Sequence, residues 1–227
     1  MYILLTNDDG VDAPGLLALA QAVRRIAPVE IIAPERNWSA SGHVKTMTKP
    51  LRVKPFTLRD GTLARACDGA PSDCVAMALL GLLPEKPSLV ISGINPHANV
   101  GHDLTYSGTV TAALEGAIGG VPSLAVSVDD ASSTDPDEYT VAAEVAAKLG
   151  GKILQDGLLP GTCLNLNVPA LAASQIRGIK ITRTGTRIYR DQLIERRDPR
   201  GNPYYWIGGE PPTGVTDEVG TDLWALA

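Results

Sequence analysis

"ILLTNDDGVDAPG", residues Ile3 to Gly15, is the stretch on which the fold turns. An apolar run ends abruptly at two adjacent carboxylates, Asp8 and Asp9, followed by a glycine. Tyr2 to Thr6 reads as a buried strand, and Pro14 opens a segment, Gly15 to Ile26, with helical periodicity. A strand, a polar turn and a helix make the first half of a βαβ unit.

The same alternation continues outward. "VEIIA" (Val29 to Ala33) is a second apolar strand, and "LRVKP" from Leu51 alternates like an edge or half-exposed strand. A helix is expected from Ser72 to Leu83, a strand from Ser88 to Ser92, and a helix from Thr109 to Ile118. Then come a strand from Ser123 to Val128, a helix from Glu138 to Leu154 weakened by Gly150-Gly151, and the strand "CLNLNV" from Cys163. Alternating strands and helices imply right-handed crossovers. The predicted class is therefore α/β: a Rossmann-like, mainly parallel sheet with helices on both faces.

The segment Arg187 to Gly209 breaks the pattern. It is charged, has few apolar residues and turns at Asp198-Pro199-Arg200-Gly201-Asn202, which predicts a β-hairpin that cannot build a core alone. Tyr204-Tyr205-Trp206 beside the turn suggests an arm that packs on another subunit. The expected organisation is one domain, 1–227, with 187–209 as a projecting arm for a homodimer or homotetramer.

With 227 residues, 44% of them hydrophobic and 20% charged, the chain can bury a core without disulfides or structural metal. Its formal charge of −5 argues against a partner such as duplex nucleic acid or a membrane surface. Cys67, Cys74 and Cys163 lack metal-like spacing and read as small buried hydrophobes in a reducing compartment. Met1 leads straight into a strand, without the basic and apolar regions of a signal peptide, so the expected location is the cytoplasm. The sequon Asn37-Trp38-Ser39 is then incidental.

In an open parallel sheet, the loops leaving the carboxyl ends of the strands share one edge, and ligands bind there. That rule gathers Asn7-Asp8-Asp9-Gly10, the loop "APERNWSASGH" with Asn37, Ser39, Ser41 and His43, and "SGINPHANVG" with Ser92 and Asn95. Adjacent carboxylates repel unless a cation holds them together. Carboxylates with an amide oxygen and a hydroxyl form a hard oxygen set suited to Mg²⁺, Mn²⁺ or Ca²⁺. Asp8, Asp9, Ser39 and Asn95 are thus candidate ligands of one divalent cation, although "NDDG" also suits a plain polar turn. Ser107-Gly108-Thr109 open a helix, where N–H groups and hydroxyls bind phosphate or simply cap the helix. Asn7 is grouped with these three, and His43, Ser92 and Asn37 are weaker candidates for contact with substrate or ligands.

"TNDDG", "SASGH", "DGAPSDC", "SGIN" and "YSGTVTAA" resemble, in order and spacing, the SurE (survival protein E) family of metal-dependent 5′/3′-nucleotidases, and the resemblance runs from Met1 to "GTDLWALA". It implies metal ligands at Asp8, Asp9, Ser39 and Asn95 and a phosphate-facing serine at Ser107. Trp38 departs from the basic or polar residue of the family. The implied activity is removal of phosphate from nucleoside monophosphates by metal-bound water, with one Mg²⁺ or Mn²⁺ per subunit and exopolyphosphatase activity as a further option. The alternative from another class is a non-catalytic nucleotide- or phosphate-binding module on the same fold. A receiver domain would need an acceptor Asp where "SGIN" stands, and a dehalogenase-type phosphatase would need Asp-x-Asp after the first strand.

Overall fold

The computed structural model describes residues 1–131 and 134–227. They form two compact units, one of residues 1–99 and 103–178, the other of residues 100–102 and 179–227.

The first unit is built on a seven-stranded sheet in the order β3-β4-β2-β1-β5-β6-β7. Its strands are β1 (Ile3–Thr6), β2 (Val29–Pro34), β3 (Val53–Thr57), β4 (Leu63–Cys67), β5 (Leu89–Asn95), β6 (Ser123–Asp129) and β7 (Cys163–Pro169). All pairings are parallel except β3 with β4. The burial of β1 throughout and of β5 from Leu89 to Ile94 is what a parallel strand covered on both faces requires. Alternation along β1 sorts its side chains: Ile3 and Leu5 join the core under α1 (Pro14–Val23) and α4 (Thr140–Asp156). Leu4 faces the opposite core with Cys74 and Val75 of α2 (Pro71–Met77) and Ala112 of α3 (Gly108–Ile118).

The differences from the sequence reading have local causes. β4, "LARAC", was not anticipated, because two alanines and an arginine give a weak apolar signal. β3 is the expected edge strand, antiparallel to β4. α1 ends at Val23 rather than Ile26, since its last turn tightens through Ile26 N–H to Val23 O and Pro28 follows. The helix expected to Leu83 is regular only to Met77; the Ala78–Leu82 stretch that follows is kinked at Gly81, which takes a non-helical φ of 106°. α4 runs through Gly150, whose missing side chain admits Ile91, Leu89 and Ile26 at close range.

In the second unit, β8 (Arg187–Arg197) pairs antiparallel with β9 (Pro203–Gly214), a longer hairpin than residues 187–209. Leu193, Tyr205, Trp206 and Ile207 are all exposed on it. A short helix, α5 (Asp222–Leu226), was not foreseen; Thr221 caps it, accepting from Trp224 N–H. The Asp222 carboxylate accepts from the N–H groups of Gly101, Gly185 and Leu223, and Lys180 sits 4.0 Å over the Trp224 ring.

Candidate active site

The strand order reverses on either side of β1, with β2 on one flank and β5 on the other. Such a switch point opens a crevice at the carboxyl ends of the strands. β1 delivers Asp8 and Asp9 there, and β5, paired with it up to Thr6 opposite Ser92, delivers Asn95. Beyond Ser92 the pairing of β5 with β6 shifts register before resuming at Asn95 opposite Ser127, an irregularity that re-aims the end of the strand. The third contributor follows β2: Trp38 N–H donates to Asp8 O at 2.7 Å, so the residue before Ser39 is tied to the acidic turn.

The acidic turn is held by its own flank. Asn7 donates through its amide to Gly10 O and accepts from Gly10 N–H, closing the loop, while Gly10 takes a φ of 110°. Asn7 is fully buried with both ends of its amide engaged, so it shapes the turn instead of facing the crevice.

Asp8 is 3% exposed and lies against the start of α3. Thr109 donates its hydroxyl to Asp8 Oδ1, and a Cβ on Gly108 would stand 2.7 Å from the Asp8 Cβ and 2.9 Å from Oδ2. Only a glycine lets the helix end approach that closely. Burial raises the Asp8 carboxyl above its usual pKa, against the opposing pull of Thr109's hydroxyl and the backbone N–H groups of Thr109, Asp8 and Gly108. The positive end of α3 therefore already faces a carboxylate. Gly108 and Thr109, expected at phosphate, are here the groups that fix Asp8. Ser107 caps the helix, its Oγ accepting from Val110 N–H at 3.1 Å.

Asp9 is pushed up to about 7, by burial first and by the charge of Asp8 second. The Tyr139 hydroxyl, buried and facing the charges of Asp9 and Glu138, is pushed up to about 12. Two adjacent carboxylates, one buried and one half-buried, with no ion-pair partner among the described residues, are a costly arrangement that a bound cation relieves. Among the described residues no cluster of three or more His, Cys, Asp or Glu side chains forms a metal cage. The donor set here is two carboxylates with neutral oxygens, and it fits a hard divalent cation. Asn95 donates its amide nitrogen to His97 O, which leaves its amide oxygen as the end available to a cation. Ser39 is exposed on its loop, where its N–H donates to Asn37 Oδ1 at 2.7 Å; Asn37 shapes the turn.

Two weaker candidates lie elsewhere. Ser92 is fully buried within the sheet, its hydroxyl without a partner among the described residues. His43 turns to Glu115 of α3, with Nε2 2.9 Å from Oε2.

Other residues at the site escaped the sequence reading. Glu115 could have been noticed as the lone acid in "GTVTAALEGAIGG". Asn165 and Asn167 alternate on β7 and both donate to Asn99 O, while Asn99 donates to Asn167 Oδ1 and Ser127 Oγ. This network pins the segment just after Asn95, and the repeated asparagines in "CLNLNV" were its trace.

The description "Survival protein SurE" matches residues 3–191 of the chain. A 5′-nucleotidase SurE of Herpetosiphon aurantiacus is 51% identical over 227 residues, 100% of this chain and 88% of that protein. Its counterpart in Chloroflexus aggregans is 52% identical, covering 100% of this chain and 89% of the relative. The crystal structure of the SurE protein from Aquifex aeolicus superposes with a TM-score of 0.82 at 40% identity, over 100% of this chain and 89% of that one. With its sheet order, its acidic turn and these relatives in agreement, the chain belongs to the SurE family.

Proposed function

We propose that this protein is a divalent-metal-dependent 5′-nucleotidase, a phosphomonoesterase that converts nucleoside monophosphates to nucleoside and phosphate. One observation carries the reading: buried Asp8 and half-buried Asp9 stand side by side, with no ion-pair partner among the described residues, at the switch point of a SurE-family sheet. The relatives named 5′-nucleotidase SurE support the reaction and the substrate class.

Asp8, Asp9, Ser39 and the Asn95 amide oxygen would hold the cation, Mg²⁺ or Mn²⁺. When bound, it supplies a hard Lewis acid for the phosphoryl oxygens and lowers the pKa of water. The chain's own groups do the rest. Thr109 and the N–H groups at the start of α3 fix the Asp8 carboxylate, so the ligand pair is preorganised. Ser107 keeps its hydroxyl proton to donate, because its oxygen only accepts from Val110, and it is the group assigned to a phosphate oxygen.

Further parts of the reading are the homodimer or homotetramer built through the β8–β9 hairpin, and a cytoplasmic location. Exposed Tyr204, Tyr205, Trp206 and Ile207 support the first. Among the described residues no helix is long and apolar enough to cross a membrane.

The test is release of phosphate from a panel of nucleoside monophosphates and p-nitrophenyl phosphate, with Mg²⁺ or Mn²⁺ and with excess chelator. Metal-dependent turnover of the nucleotides is expected. Tight nucleotide binding without turnover under every metal would favour the non-catalytic binding module.

A further inference from the structure

The segment between β2 and β3 carries Ser39 but has no regular secondary structure from Glu35 to Arg52. Such a stretch keeps a fixed course only where side chains from packed elements hold it. α2 supplies Ser72, whose hydroxyl donates to Val44 O, and Asp73, which accepts from Thr46 N–H at 2.9 Å. α3 supplies Thr111, donating to Gly42 O at 3.1 Å, and Glu115. Glu115 holds two side chains at once: Oε2 lies 2.9 Å from His43 Nε2 and Oε1 lies 2.9 Å from the Lys45 ammonium nitrogen Nζ.

Glu115 is the unusual member. It is 8% exposed on a helix otherwise lined by small and apolar residues. Glu115 is nearly buried, whereas the His43 and Lys45 side chains that reach it are partly exposed, so the two bonds fasten the segment over the side of α3. The pair of bonds acts as a latch on the Ser39 segment. The helix that carries it also fixes Asp8 at its other end, about 12 Å along the axis from Ser107 to Glu115. α3 thus connects to two of the three strand-end loops of the site.

We propose that Glu115 is a positioning residue for the reaction: through His43 and Lys45 it holds Ser39 at the distance from Asp8 and Asp9 that cation binding requires. The assignment rests on the nucleotidase reading above, and it makes no use of Glu115 as an acid, base or ligand. Its loss should loosen the segment, weaken cation affinity and raise KM, with kcat at saturating cation changing far less.

The experiment compares wild type, Glu115→Ala, Glu115→Gln and the double substitution His43→Ala/Lys45→Ala in the full chain. The double substitution removes two exposed side chains and leaves the buried face of α3 intact, so the question survives if Glu115→Ala fails to fold. Hydrogen exchange over residues 36–46 in chelator should quicken at least tenfold in Glu115→Ala and in the double variant. The dissociation constant for Mn²⁺ alone, by calorimetry, should rise about tenfold or more, as for other groups that orient metal ligands. Glu115→Gln keeps the shape and one acceptor, and it should recover part of both effects. Wild-type exchange and wild-type Mn²⁺ affinity in the double variant would overturn the assignment, as would a fall in kcat with KM and Mn²⁺ affinity unchanged. Wild-type protein that neither binds Mn²⁺ nor releases phosphate would instead overturn the nucleotidase reading, and unchanged exchange would still overturn the latch.

Discussion

The Thr109 hydroxyl donates to Asp8 Oδ1 across 101 positions of sequence, joining the start of α3 to the end of β1. The bond is buried, and it belongs to a carboxylate whose remaining oxygen lies against Gly108. The start of α3 is thereby committed to orienting the Asp8 carboxylate.

Thr109→Val tests that commitment. The substitution keeps the shape and removes the donor, so Asp8 loses one hydrogen bond while the core stays filled. Stability should fall by about 1–3 kcal/mol, the usual cost of leaving a buried polar group short of a partner. Mn²⁺ affinity should weaken roughly 10- to 100-fold. Calorimetry and thermal melts measure both, and wild-type affinity would show that Asp8 needs no such support.

Asp9 makes a prediction about pH. Its folded pKa of about 7 stands above the ordinary 3.8, so the folded chain binds the proton more tightly than the unfolded one. Stability from this group is therefore complete below the unfolded value and is lost as pH rises through the folded one, between about 4 and 7. Relative to Asp9→Asn, which does not titrate, metal-free wild type should lose up to about 4 kcal/mol over that interval and then level off. Melts of both proteins in chelator, from pH 4 to 9, give the difference directly. Added Mn²⁺ should stabilise wild type at pH 8 and leave Asp9→Asn unmoved.

The hairpin gives a third prediction. A lone two-stranded ribbon is marginal in water, yet this one exposes Leu193 at 71%, Trp206 at 64% and Ile207 at 80%. Such side chains suit a second copy of the chain. Light scattering at micromolar concentration should give a dimer or tetramer, and deleting Gln192 to Tyr205 should lower the mass. A monomeric wild type would end the proposal.

Much of the fold could be read because its signals are strong and local. Ile3 to Leu5 and Leu89 to Ile91 are apolar on both faces, as strands covered by helices must be. Pro14 marked the start of α1 and Pro28 lay beyond its end. The candidate residues at the sheet edge were gathered from the parallel direction of the strands alone, since parallel strands send their outgoing loops to one side. What could not be read depends on pairs far apart in sequence. Nothing in "SGTVTAALEG" says that Thr109 and Gly108 turn to Asp8 rather than to a ligand, because caps and phosphate sites use the same residues. Asn7 looked like a site residue until its amide closed on Gly10. β4 went unseen because its burial comes from β2 and β3, not from its own weak pattern.

The final prediction concerns the atom that attacks phosphorus. Three side chains could form a covalent intermediate: Asp8, Asp9 and Ser107. Asp8 is nearly inaccessible, and its oxygens are bonded by Thr109 and the N–H groups opening α3. Freeing it for attack would unfasten the helix end. Asp9 is the other charged member of the proposed ligand set, and its attack would strip the charge that balances the cation. Ser107 is nearly buried and spends a lone pair on Val110 N–H, and no imidazole or carboxylate bonds its hydroxyl among the described residues. A serine without an adjacent base is a poor nucleophile at neutral pH. Water is left as the nucleophile, attacking in line in a single displacement. A nucleoside phosphorothioate made chiral at phosphorus with two oxygen isotopes, hydrolysed in water of the third, should therefore yield inorganic thiophosphate of inverted configuration. Net retention, or a phosphoryl group trapped on Asp8, Asp9 or Ser107 and located by mass spectrometry, would show two displacements and place a side chain first.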